Sequence, residues 1–229
     1  MILVDTVYQT VLALANKEQR GYITPQEFNL HANHVQMSIF EQYFYDLNQF
    51  RRQPGNTTKY ADMINIIEDK LRDFKVGFTN IGSGSSIEDA YRIISVISGD
   101  DDNVKIVEEI KLEDRHKIDH SPLTKATVNR PVYWISDGSI YFSPSDILNP
   151  VKYSYMRKPD SPKWTYIVVD EKPLYNDGAV DKKNFELHPS EQEALVIKIL
   201  QLCGVTIKDY NLTQVAAQEE VKNIQQQKQ

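Results

Sequence analysis

The apolar positions of this chain change period twice, from helical to alternating and back to helical. Between residues 3 and 16, Leu3, Val7, Val11 and Leu14 recur at helical spacing, with Val4, Tyr8 and Ala15 beside them. From Pro25 to about Phe50, Phe28, Ala32, Val35, Ile39 and Tyr43 form one stripe, which Phe40, Phe44 and Leu47 widen. Tyr45 and Phe50 carry the aromatic surface round most of the second half. A helix apolar on so many sides is buried on several of them, in its own core or against another subunit. A third helical pattern follows the Pro54-Gly55-Asn56 loop, through Tyr60, Met63, Ile64, Ile67, Leu71 and Phe74.

Two helix starts are marked by capping chemistry. Thr24 precedes Pro25 and stands three residues before Glu27; Ser190 stands three before Glu193. Each hydroxyl can accept from the first turn while the glutamate bonds back to the cap. The Ser190 helix carries Leu195, Val196, Ile199, Leu202 and Cys203 on one stripe, and Gly204 sits where a helix C-terminal glycine belongs. A last stripe, Ala217, Val221 and Ile224, is too narrow to hold a helix alone and calls for a partner surface.

The middle is strand-rich. Tyr91–Ile97 and Val104–Ile110 flank the acidic turn Gly99–Asn103, and Pro131–Ser136 and Ser139–Phe142 flank Asp137-Gly138, the strongest hairpin signal in the chain. The pattern also predicts pairing of Lys152–Arg157 with Trp164–Val169 across Lys158–Pro162, and a short helix or irregular crossover over 111–126. The expected organisation is α+β: a helical unit over 1–75, a flexible Gly/Ser linker over 76–86, an antiparallel β-rich region over 87–184, and C-terminal helices over 185–229.

Charge and composition narrow the function classes. The 229 residues, 41% hydrophobic and 25% charged, suffice for a packed core. A net charge of −6 argues against a broad basic face for nucleic acid. Arg51-Arg52 reads most simply as favourable charge at a helix C-terminus. One cysteine, Cys203, allows neither an internal disulfide nor a thiolate zinc site, and its place on an apolar stripe marks a core residue. No run of about 20 apolar residues exists to span a membrane, and Asp5 interrupts an N-terminus that lacks a basic flank, so no signal peptide is expected.

The chemical candidates are thin. His31 and His34, and His116 and His120, have spacings that share a helix face, but neither pair carries a His-Glu-x-x-His pattern. Gly82–Ser86 lacks the Gly-Lys-Ser/Thr ending of a phosphate loop, and Asp100–Asp102 lack the alternating ligands of a calcium loop. Glu108 and Glu109 are adjacent on a strand and point to opposite faces. No catalytic, cofactor-binding or metal-binding residues are therefore assigned, and no cofactor is expected.

Several segments together resemble a family of tailed-phage virion proteins: Tyr22–Asn29, Ile39–Asp46, Arg130–Tyr133, Tyr153–Pro159, Pro162–Trp164 and Phe185–Glu191. In order and type they are similar to the structural proteins of crAss-like podoviruses that build rings in the neck below the portal. The resemblance spans about Gly21 to Glu220. It implies a non-enzymatic protein of the virion neck, made in the host bacterial cytoplasm and assembled as a homo-oligomeric ring, typically a dodecamer. Its implied partners are sister subunits, the portal protein and other neck and tail ring proteins, with genomic DNA passing through without specific binding and no membrane. Phe40, Phe44, Tyr45, Ala217, Val221 and Ile224 are the expected interface residues. The rival classes are a DNA-binding or assembly chaperone factor absent from the finished particle, and a metal-dependent hydrolase.

Overall fold

The computed structural model describes residues 1–16, 23–52, 58–100, 103–145, 150–207, 218 and 221. Three helices come first: α1 (Val4–Asn16), α2 (Pro25–Arg52) and α3 (Thr58–Arg72). Strands follow as β1 (Lys75–Asn80), β2 (Ser85–Ser86), β3 (Ala90–Ser98), β4 (Lys105–Ile106) and β5 (Glu108–Glu109). A 3-10 turn (Leu112–Asp114) and α4 (Arg115–His120) precede β6 (Val132–Ser136), β7 (Ser139–Ser143), β8 (Val151–Arg157), β9 (Tyr166–Val169) and β10 (Lys172–Tyr175). A second 3-10 turn (Pro189–Glu191) leads into α5 (Gln192–Ile207). The fold is α+β, with N-terminal helices, central sheets rich in antiparallel pairs, and a C-terminal helix.

The chain divides into two units, one of residues 74–158 and one joining 1–73 to 159–229. The first holds two four-stranded sheets, ordered β1-β8-β3-β4 and β2-β7-β6-β5; β5 and β6 run parallel and the other pairs antiparallel. Their shared core is Val96, Val107, Tyr133, Ile140, Phe142, Val151 and Tyr153. The β6–β7 hairpin turns on Asp137 (φ 50°) and Gly138 (φ 70°), the left-handed pair that a tight primed turn requires. Val132, Tyr133 and Trp134 of β6 are buried, and Trp134 stacks on Tyr141 and lies under the Arg115 guanidinium at 4.3 Å.

In the other unit α2 packs on α3 and α5, and α1 on α5. The capping box at Thr24 is formed as its spacing predicts: the Thr24 N–H donates to Glu27 Oε2 at 3.0 Å, and the Glu27 N–H donates to Thr24 Oγ1 at 3.3 Å. Trp164 sits at the centre of an aromatic cluster, 4.2 Å from Tyr8 and 5.8 Å from both Tyr166 and Tyr175 by ring centroids. Its indole N–H donates to Asp5 Oδ1 at 2.9 Å. Gln36, fully buried, donates to the Asp160 carbonyl at 2.7 Å and accepts from the Glu186 N–H at 3.1 Å.

Several expectations need correcting. α1 buries Val4, Val7, Tyr8, Val11 and Ala15, leaving Leu3 and Leu14 exposed, so its inner face is rotated from the Leu3–Leu14 stripe. Residues 76–86 are not a flexible linker: they carry β1 and β2, which pair with β8 and β7. Small polar residues suit an exposed edge strand as well as a linker, and composition does not separate the two.

β8 pairs with β1 and β3, not with the Trp164 segment. β9 instead closes a local hairpin with β10 across Asp170 (φ 47°) and Glu171 (φ 63°). Residues 159–184 consequently group with the helices rather than with the β-rich region. The chain before α5 is capped by His188, whose Nδ1 accepts from the Ser190 N–H at 3.3 Å, rather than by a Ser190–Glu193 box. Gly204 lies inside α5, which runs on to Ile207. The Pro54–Asn56 loop lies outside the described residues.

Candidate interaction surfaces

The residues with potential chemistry are dispersed or occupied. His31 is half-buried and His34 exposed on α2. Burial holds the His31 imidazole below its ordinary range, against the opposing pull of the Glu27 carboxylate. His116 and His120 are both exposed on α4. Glu108 accepts from Arg130 at 3.0 Å and Glu109 from the Tyr133 hydroxyl at 3.2 Å, so both carboxylates hold structure. Cys203 is buried in α5, where desolvation pushes its thiol up to about 12, far from a reactive thiolate. Among the described residues no three His, Cys, Asp or Glu side chains come together as a metal site, and no helix is long and apolar enough to cross a membrane.

The expected interface residues separate into distinct groups. Phe40 is fully buried and meets Phe44 edge to face at 5.1 Å. It belongs to the chain's own core and presents nothing to a neighbour, because the α2 face that carries it also carries Val35, Ile39 and Tyr43. Phe44 is half-buried, and Tyr45, on the other side of the helix, is 67% exposed. Val221 is helical and 54% exposed. Ala217 and Ile224 lie outside the described residues.

One exposed apolar surface of the helical unit is not singled out by the spacing of the sequence. On the β9–β10 hairpin, Ile167, Val169 and Leu174 lie on one face, 44–50% exposed, while Tyr166 and Tyr175 on the other face stack on Trp164. The stacking fixes the hairpin to its unit and turns the aliphatic face to solvent. Its signal in the sequence is Asp170-Glu171 between two short β-branched and apolar runs. In the β unit, Phe78, Tyr91, Ile94, Val104 and Ile106 are exposed on or beside β1, β3 and β4. A shallow groove of about 230 Å³ is lined by Thr10, Gln192, Glu193, Val196 and Ile197 and gathers no set of reactive groups.

Among the described residues, apolar side chains are exposed on both helices and strands. No family model matches the chain, and no curated protein matches it.

Proposed function

We propose that this protein is a structural component of a phage virion, assembling as a ring in the head-to-tail connector below the portal and extending the DNA conduit. The reading rests on the resemblance to the neck ring proteins of crAss-like podoviruses. The observation that carries it is the order of the matching segments. Two of them, far apart in sequence, meet through Asn29 and Trp164.

Surfaces for the implied partners are available. Tyr45 and Val221 offer apolar contact on helices, and a ring requires each subunit to present two different complementary patches. The net charge of −6 suits a wall that DNA passes without being held. On this reading the protein is made in the host bacterial cytoplasm and ends in the neck, beside the portal and other ring proteins.

The decisive experiment is imaging of purified virions together with counting of copies per particle. A ring of this chain below the portal is the expected result; its absence from virions would instead identify an assembly factor. A metal-stimulated activity lost on changing His31 or His116 would replace the structural role with a hydrolase. Sequence-specific DNA binding at or below nanomolar levels near physiological salt is likewise incompatible with a passive conduit.

A further inference from the structure

The β9–β10 hairpin has one open edge and one closed edge, and its chemistry tells them apart. The Asn176 N–H donates to the Thr165 carbonyl at 2.9 Å, so Thr165 and Asn176 form a hydrogen-bonded pair. Pairs alternate along an antiparallel ladder. Tyr166–Tyr175 is therefore a non-bonded pair, Ile167–Leu174 a bonded one, and Val168–Pro173 again non-bonded, following the observed register. At a non-bonded pair the backbone groups point away from the hairpin. Pro173 thus removes the donor on the outer edge of β10, the usual means of closing an edge. On β9, Val168 and Tyr166 keep both outward N–H and C=O groups, so β9 is the more open of the two edges.

We infer that the β9 edge takes the β1 edge strand of a second copy of this chain, antiparallel, and so forms a subunit contact of the ring. This rests on the ring reading above, which calls for two unlike patches on each subunit. Charge selects β1 among the open edges of the β unit. The hairpin tip carries Asp170 and Glu171, neither of which has an ion-pair or hydrogen-bond partner among the described residues. β4 carries Lys105, but that ammonium is held by Asn129, and the strand is flanked by Asp100 on one side and by Glu109 and the Arg130-paired Glu108 on the other, which disfavours the acidic tip. β2 is the two-residue polar strand Ser85–Ser86.

β1 instead begins with exposed Lys75, also unpartnered among the described residues. It is bulged between Val76 and Thr79 and leaves Phe78 54% exposed. Setting Asp170 beside Lys75 in an antiparallel pair brings Val169 opposite Val76 and Ile167 opposite Phe78. The acidic tip then meets the lysine, and the aliphatic face of the hairpin meets the exposed phenylalanine.

The test is made in assembled particles, where the ring reading places this protein beside the portal. The variant Ile167→Cys/Phe78→Cys is carried by the phage, the virions are oxidised mildly, and products are resolved without reducing agent. The native Cys203 is buried and leaves the background low. A covalent ladder beyond the dimer in the double variant, absent from each single variant, is expected. Virions that contain the protein at ring copy number but give no ladder overturn this contact and leave the ring reading intact; virions without the protein overturn both. As an independent check, Asp170→Lys/Glu171→Lys should lower incorporation at least tenfold, and adding Lys75→Glu should restore it. No loss, or loss without rescue, overturns the pairing.

Discussion

The side chain of Asn29 on α2 mimics a β-ladder partner for the backbone of Trp164: its Oδ1 accepts from the Trp164 N–H at 2.8 Å and its Nδ2 donates to the Trp164 carbonyl at 3.0 Å. One amide thus satisfies both main-chain groups of a residue whose indole is 1% exposed, across 135 positions of sequence. Asn29→Ala leaves a donor and an acceptor unpaired and is expected to cost about 2–3 kcal/mol in denaturant unfolding. Asn29→Asp keeps the acceptor but sets a carboxylate oxygen against the Trp164 carbonyl, so it should cost at least as much as the alanine variant. Equal stability of the alanine variant would mean that water replaces the amide without penalty.

A second expectation concerns Lys70 and Glu191. Their ion pair is 2.5 Å long, and the two side chains are only 18% and 7% exposed. Lys70→Met strands a buried carboxylate and should destabilise by about 3 kcal/mol. Lys70→Met/Glu191→Met should recover most of that loss, since removing both charges also removes their desolvation cost. A double variant as unstable as the single one would show that packing, not charge, sets the effect.

The turn at Gly138 isolates a backbone term. Its φ is 70°, and a Cβ built there meets nothing within 4 Å. Gly138→Ala should therefore cost about 1–2 kcal/mol through left-handed strain alone, without a clash. A larger loss, measured by the unfolding midpoint, would indicate contacts beyond the turn.

His31 sets a pH dependence. Burial lowers its folded-state pKa below 6.5, so above that pH neither folded nor unfolded chain holds the proton. As pH falls through 6.5 the unfolded chain is protonated first, and stability declines until the folded-state value is reached. His31→Gln should flatten this segment of the stability profile. A histidine NMR titration placing His31 above 6.5 would reverse the sign.

The sequence by itself determined what is written locally. The Thr24–Glu27 box, the α2 and α3 stripes and the Asp137-Gly138 turn depend on neighbours within a few residues, and period and cap chemistry report those directly. Only the tertiary structure decided which strands pair and which apolar side chains are covered. β8 lies between β1 and β3, a choice made by long-range packing in the β unit, while the Trp164 segment is held by Asn29, Asp5 and Tyr8 from distant helices. The same holds for the interaction surface. Phe40 and Tyr45 are both aromatic residues of one helix, yet one is sealed in the core and the other is exposed, and that follows from what packs against α2. The hairpin edge at β9 was hidden for a related reason: Pro173 closes an edge only once the register decides which way its missing N–H would have pointed.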